Sequence, residues 1–418
     1  MPDPTPLPGV DTDPVITVVG VGADGRLDEH AEALVRDADV LLGGRRHLAD
    51  RPDVPGQQRL PWPSPLADGL PALLDPLLDG PHGRRVVALA SGDPMVSGIG
   101  TTLVRLLGPA AVRVIPAVSS VALARARMGW SAEESVVVTL VGRHEARLLR
   151  ELAPGRRILL LSSGPETPAR VGGLLVDAGH PEASVTLLAD LGSPAESRDV
   201  RTASEWTAVP ATDVPPLHVL AVELPRGLGS RHSSWVAGLP DDAFEHDGQL
   251  TKRDLRASAL ARLQPAPGQH LWDVGAGAGS VGIEWMRAHP TCRTTAVESH
   301  PDRAARVARN AARLGVPDLA VVEGRAPDAL ADLPGPDAIF VGGGATRPGV
   351  LDACLAALAP GGRLVVHGVT LETESLLADA YRTHGGELTR LSVESTAPVG
   401  TFTGWTPART VTQWAWAR

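Results

Sequence analysis

The sequence predicts an α/β protein of two successive domains, and three observations carry that expectation. Strand-like and helix-like segments alternate along most of the chain, the pattern of mainly parallel sheets covered by helices. At 418 residues the chain is too long for one ordinary hydrophobic core. Between two alternating stretches lies PRGLGSRHSSWVAGLP, Pro225 to Pro240, which has no periodicity and is rich in Gly, Ser, Pro and Arg, the composition of a linker. The expected division is a Pro/Asp-rich disordered tail at 1–14, a first domain at 15–224, the linker at 225–240 and a second domain at 241–418.

In the first half, Val15–Val19 reads as a strand that turns at Gly20–Gly25 and continues into a helix from Leu27. Strand Val86–Ala90 runs into Ser91-Gly92-Asp93-Pro94, and strand Val112–Ile115 runs into Pro116–Ser120. Strand Val136–Val141 leads into Gly142-Arg143-His144, and Ile158–Leu161 follows. Strands recur around Ala183–Leu188 and Leu217–Leu224 with no clear helix between them, which predicts a smaller, mixed-sheet lobe. In the second half, strands are expected near 270–273, 294–297, 319–322, 337–341 and 363–367, with helices near 280–288, 301–314, 348–358 and 372–383. The last two strands, about 388–395 and 411–416, have no helix between them and read as an antiparallel pair.

The strongest chemical signal is His270–Glu284, HLWDVGAGAGSVGIE. An apolar strand reaches Asp273, a turn follows with glycines at Gly275, Gly277 and Gly279, and a helix opens near Ser280. Bare backbone at a strand-to-helix turn is where a ligand can touch main chain. A second strand, Thr294–Val297, ends in Glu298, where a carboxylate can take both ribose hydroxyls of an adenosine ligand. Gly277–Gly282 also fits the dinucleotide pattern G-x-G-x-x-G. Its first glycine lies too far beyond the strand, however, and a count from Gly275 puts Ser280 where Gly or Ala is wanted. Asp273 would repel a pyrophosphate and suits a cationic amino-acid moiety. The reading is therefore S-adenosylmethionine, with an NAD-dependent oxidoreductase as the alternative from a different class. In the first half, the Gly20, Ser91–Pro94, Pro116–Ser120 and Gly142 turns define a second, weaker small-molecule crevice.

Composition excludes several classes. Hydrophobic content of 43% and charged content of 21% are those of a globular protein. No apolar run is long enough to span a membrane, and the N-terminus lacks the apolar stretch of a signal peptide. A net charge of −9 argues against nucleic acid as a partner. Two isolated cysteines, Cys292 and Cys354, make neither a disulfide framework nor a zinc site, so no metal is expected and a cytoplasmic location is.

These residues resemble two known families. VGVGADG at 19–25, SGDPMVSGIG at 91–100, IPAVSSVALARARMG at 115–129 and TLVGRH at 139–144 are similar to the two-lobed tetrapyrrole methylases. DGQLTKRDLRASAL at 247–260, DVGAGAGSVGIE at 273–284, EGRAPDAL at 323–330 and DAIFVGGGA at 337–345 resemble the class I, Rossmann-like methyltransferases of cobalamin synthesis. The resemblance implies a bifunctional, S-adenosylmethionine-dependent methyltransferase of the corrin ring. Such an enzyme methylates carbons 5 and 15 of a precorrin and decarboxylates a ring acetate, with one donor site per domain. A cobalt-containing precorrin of the anaerobic route is the alternative substrate. In the first half, the resemblance places the donor across Ser91, Gly92, Asp93 and Val96, with Ser119, Ser120 and Val141 completing the pocket. Ala23 stands where the wider family often carries proline. In the second half it implies Thr251, Asp273, Gly275, Ala276, Gly277, Ala278, Gly279, Glu298 and Ala326.

Methyl transfer from a sulfonium to carbon is an in-line displacement that depends on alignment, and it requires neither a metal nor a Ser-His-Asp set. A tetrapyrrole bearing many carboxylates needs local cations on a net acidic protein. The candidates are Lys252, which is the only lysine, with Arg253 and Arg256 beside it, then Arg325 and Arg347 after strand ends. In the first half they are Arg143 and His144. Arg253 and Arg256 read equally as a solvated helix face, and His144 and His246 as candidate proton donors. Gly342-Gly343-Gly344 leaves room for a flat ligand. The resemblance also implies a homo-oligomer, with VTQWAWA at 411–417 as either interface or core.

Overall fold

A computed structural model describes residues 15–78, 84–227 and 234–418; the expected tail at 1–14 and the middle of the expected linker, 228–233, lie outside the described residues. The chain divides into two compact units. Of the described residues, the first holds 15–78, 84–141, 157–172 and 184–223, and the second holds 142–156, 173–183, 224–227 and 234–418.

The first unit opens with β1 (Ile16–Val21), α1 (Glu29–Arg36), β2 (Val40–Gly43), α2 (Arg45–Ala49), β3 (Gln58–Pro61), α3 (Leu66–Leu78), β4 (Val86–Ser91), α4 (Ile99–Leu107) and β5 (Val112–Ile115). The strands form one parallel sheet in the order β3-β2-β4-β1-β5. β1 is buried along its whole length and lies between β4 and β5, so their loops meet at one sheet edge. Asp28 starts α1 by accepting from the Ala31 amide at 2.7 Å, one of the orphan donors of a helix start. Next come α5 (Ser120–Met128), β6 (Ser135–Thr139), β7 (Arg157–Leu161), α6 (Thr167–Asp177), β8 (Ser184–Ala189), β9 (Ser197–Thr202), α7 (Ala203–Trp206) and β10 (His218–Glu223). Their sheet, β6-β7-β10-β8-β9, is parallel only at β6–β7, so the second lobe is the mixed sheet that the sequence predicts.

The second unit contains α8 (Arg253–Leu263), β11 (His270–Val274), α9 (Ser280–Ala288), β12 (Arg293–Glu298), α10 (Pro301–Arg313), β13 (Ala320–Glu323), β14 (Ala338–Val341), α11 (Val350–Ala357), β15 (Arg363–Gly368), α12 (Leu371–His384), β16 (Glu387–Leu391), β17 (Glu394–Val399), β18 (Phe402–Pro407) and β19 (Val411–Ala417). Seven strands pair as β13-β12-β11-β14-β15-β19-β16, the first five parallel and β19 antiparallel to both of its neighbours. Strand β11 is wholly buried, with core on both faces. The VTQWAWA segment is a core strand, and Trp414 is fully buried. The hairpin β17–β18 pairs only with itself.

One expectation is overturned in the core. Arg256 is not on a solvated face: it is 0% exposed. Its Nε donates to Glu284 Oε1 at 2.6 Å, and its guanidinium lies 4.8 Å from the Phe244 ring centroid. Glu284 also accepts from the Gly238 and Leu239 amides, at 2.6 and 2.9 Å. A buried ion pair persists only when its remaining hydrogen-bonding capacity is met. Here it ties residues 238–239 to α8 and α9, which removes Arg256 from the substrate-binding candidates.

Candidate functional site

In the first unit, three loops close on one another at the edge of β4, β1 and β5. Gly20, the penultimate residue of β1, lies against backbone: a Cβ there would lie 2.1 Å from the Gly92 carbonyl oxygen and 2.5 Å from the Ala117 amide. Gly92 has φ +58°, its amide donates to the Val21 carbonyl at 2.8 Å, and its carbonyl accepts from the Ala117 amide at 3.2 Å. The loop after Ser91 therefore lies against Val118 and Ser119, as the sequence expects. Asp93 bends the loop by accepting from the Met95 amide at 2.8 Å. Ser119 caps α5, its hydroxyl accepting from the Ala122 amide at 3.1 Å, and Ser120 is the exposed first residue of that helix. Val96 packs on the core of the mixed sheet, and Val141 is 54% exposed.

A cavity of about 350 Å³ opens beside this junction, lined by the Gly20–Asp28 loop, Ile115–Val118, Leu123 and Gly192. Sequence reasoning missed Leu27, Asp28 and Gly192. It also missed His47, whose Nε2 lies 2.8 Å from the Ser91 hydroxyl. Burial holds the His47 imidazole below its usual pKa, with Arg46 adding to the effect. Arg143 and His144 are exposed and fall within the second unit, and the His144 ring accepts from the Ala146 amide at 3.1 Å.

In the second unit the glycine turn has the predicted form. Gly275, Gly277 and Gly279 have φ of +70°, +59° and +76°, values that side chains disfavour. A Cβ on Gly275 would lie 2.8 Å from the Gly343 carbonyl oxygen, and one on Gly277 would lie 2.9 Å from that of Gln249. The turn is thus walled by the Gly342–Gly344 loop and by the Gln249–Thr251 segment, in which Thr251 is partly buried. Glu298 is 5% exposed; its two oxygens accept from the Gly277 and His300 amides, each at 2.9 Å. A carboxylate has about four acceptor positions, so each oxygen keeps capacity for a ribose hydroxyl. Ala276 is half-buried at the turn, and Ala326 is half-buried after β13. Arg325 and Arg347 are exposed on the loops after β13 and β14, and Lys252 pairs with Asp241 at 3.5 Å.

Two predicted contacts are corrected. Asp273 is 1% exposed and lies beneath the turn, where Oδ2 accepts from the Gly282 amide of α9 at 3.0 Å. It supports the turn and does not reach a ligand lying over it. Its Oδ1 has no partner, and burial pushes its pKa up to about 7, opposed by the Gly282 hydrogen bond and reinforced by Glu298. Ala278 is 0% exposed, and its carbonyl is taken by Asn310 Nδ2 at 3.0 Å, so it belongs to the core side of the turn. The remaining residues fit S-adenosylmethionine: a bare-backbone cradle at a strand end, with an acid poised one strand over.

Comparison with known proteins places each half of the chain in a family. Residues 15–205 match the model of the tetrapyrrole (corrin/porphyrin) methylases, and residues 242–418 match that of the precorrin methyltransferase domain. A tetrapyrrole methylase half followed by a precorrin methyltransferase half makes the chain an S-adenosylmethionine-dependent methyltransferase of corrin synthesis. Similar proteins include a precorrin-6Y C(5,15)-methyltransferase (decarboxylating) from Sinorhizobium sp, 42% identical over 407 residues, which are 97% of each chain. Another of the same name, from Mycobacterium tuberculosis, is 43% identical over 96% of this chain and 99% of its own. The crystal structure of the C-terminal domain of precorrin-6Y C5,15-methyltransferase from Rhodobacter capsulatus is 43% identical, covers 44% of this chain and 100% of its own, and has a TM-score of 0.42. The chain belongs to the precorrin-6Y C(5,15)-methyltransferase (decarboxylating) family.

Proposed function

We propose that the chain methylates precorrin-6B at carbons 5 and 15 and removes the carboxyl group of a ring acetate to give precorrin-8, with one donor site in each unit. The observation that carries this reading is Glu298, held by the Gly277 amide at 2.9 Å and facing a turn that admits no side chain. The domain division proposed is 15–224 and 241–418. When bound, S-adenosylmethionine supplies an already activated methyl group. The residues of the chain then have to align that methyl with an electron-rich ring carbon, and such positioning is worth roughly 7–11 kcal/mol of the barrier. Glu298 would hold the sugar and the main chain of the Gly275–Gly279 turn the amino-acid end, while Gly342–Gly344 carry no side chains on the side where a flat ring would lie. For decarboxylation the same face would orient the departing carboxylate; the conjugated ring takes up the electron pair left by carbon dioxide, and a proton from solvent then converts the former acetate carbon to a methyl group.

The test is mass spectrometry of the product from precorrin-6B and donor, run in parallel with its cobalt counterpart. Two added methyl groups and one lost carbon dioxide are expected. Calorimetry with S-adenosylhomocysteine should report two sites per chain. Glu298→Ala should leave one of them, because it removes charge-assisted hydrogen bonds worth roughly 1.5–3 kcal/mol each. Two undiminished sites in that variant would sink the assignment.

A further inference from the structure

A cavity of the second unit, about 270 Å³, lies between the start of α8 and the base of the β17–β18 hairpin. Its polar lining is Asp241, Lys252, Arg253, Asp254, Ser395 and Arg409. Chain separation hides this grouping: Arg409 enters just ahead of β19, which runs antiparallel beside β15 with Thr412 opposite Gly368. Arg409 therefore sits at the carboxyl edge of the parallel strands, the edge that carries ligands in open α/β sheets. The cavity adjoins the donor turn, since Gln249, three residues before Lys252, walls Gly277.

The charges are unevenly spent. Asp241 is matched by Arg256 at 3.4 Å and Lys252 at 3.5 Å. Arg253 and Arg409 are exposed and, among the described residues, have no ion-pair partner. Asp254 is the one acid of the lining left unmatched. Two unspent guanidinium groups and the Ser395 hydroxyl converge on a space below the usual size of a whole small-molecule site. Such a space takes one arm of a larger ligand, and guanidinium groups select a carboxylate through paired N–H donors.

We infer that Arg253 and Arg409 form a clamp for one acidic side chain of the tetrapyrrole, holding the ring against the donor turn of the second unit. The inference rests on the proposed function and adds the place where the substrate is gripped. Neither arginine touches the reacting atoms; both are positioning residues.

Steady-state kinetics of the full chain with precorrin substrate and saturating donor test it, following carbon dioxide release. Arg253→Gln and Arg409→Gln should each raise KM about tenfold, the scale of one charge-assisted contact, with kcat kept within about twofold. Arg409→Lys should recover part of the loss. Asp254→Asn, which removes the unmatched acid, should move KM the other way, down about threefold on the scale of a surface charge pair. The affinity for S-adenosylhomocysteine should stay at the wild-type value throughout. Unchanged KM in both arginine variants, a rise in KM for Asp254→Asn, or a parallel loss of donor affinity would each overturn the clamp. A wild-type chain that does not turn over the precorrin would fail the proposed function itself; normal turnover with indifferent arginines fails the clamp alone.

Discussion

At the scale of single residues, two buried titratable groups act in opposite directions on the second unit. Burial pushes the Asp273 carboxyl up to about 7, from about 3.8 for a free side chain. The native state therefore keeps a proton that the unfolded chain loses, and stability falls as pH rises between those values, by ~1.4 kcal/mol per pH unit. Burial holds His367 down at about 4, against about 6.5 for a free imidazole. There the unfolded chain binds the extra proton, so stability is lost as pH falls from 6.5 towards 4. The two slopes largely cancel over their shared window. Asp273→Asn removes one of them. Its denaturation midpoint should rise steadily from pH 4 to 6.5 and should exceed that of the wild type at pH 8, where the wild type carries an uncompensated buried charge. Equal midpoints at pH 8 would show that the orphan oxygen is not charged in the fold. The same residue illustrates what sequence conceals. Asp273 reads as a ligand contact because it precedes the glycines, but β11 is covered on both faces, so its side chain has no open side to turn towards. Arg256 reads as solvated because arginine is rarely buried; only the fold brings Glu284, 28 residues further on, within 2.6 Å.

At the scale of elements, the turns decide whether either site can form. A methyl group on Gly20 would fall 2.1 Å from the Gly92 carbonyl oxygen and 2.5 Å from the Ala117 amide nitrogen, both backbone atoms. Gly20→Ala should therefore separate the β1 and β4 loops and destabilise the first unit by more than the roughly 1–3 kcal/mol of ordinary overpacking. Gly277→Ala meets the Gln249 carbonyl oxygen at 2.9 Å and also carries the strain of φ +59°. It should cost roughly 1–3 kcal/mol and weaken donor binding in the second unit alone. Calorimetry on the two variants should show the loss of different sites; loss of the same site would contradict the assignment. These turns were legible because glycine and proline punctuate strongly, as were the strands β4 and β14, whose apolar runs are continuous, and β5, β11, β12 and β15, which carry shorter apolar stretches. The elements that escaped have weak local signals. β2 and β3 are only four residues long, and α3 contains Pro71 and Pro76. β17 and β18 are mostly exposed, each containing proline. Without β18 the chain gives no reason to bring Arg409 near Arg253.

At the scale of the whole molecule, contiguous sequence and compact unit are different divisions. Residues 142–156 are contiguous with the first half of the chain but pack in the second unit. Arg147 Nε donates to Asp318 at 2.6 Å, Arg150 Nε to the Arg287 carbonyl at 3.2 Å, and Trp235 Nε1 to the Arg150 carbonyl at 3.1 Å. Gly315, with φ +83°, admits the Arg150 backbone so closely that a Cβ would lie 2.2 Å from its amide nitrogen. A fragment of residues 234–418 keeps Thr251, the glycine turn and Glu298 but loses every one of these contacts. It should bind S-adenosylhomocysteine with the affinity of the second site in the full chain while melting at a lower temperature. Gly315→Ala separates the two causes. In the fragment it should cost only the roughly 1–3 kcal/mol of a side chain at positive φ. In the full chain the clash with Arg150 adds to that cost, so the drop in melting temperature should be larger. Equal drops in both would mean that residues 142–156 do not pack there in solution, and a fragment that fails to bind donor would mean that the second site is not contained in 234–418.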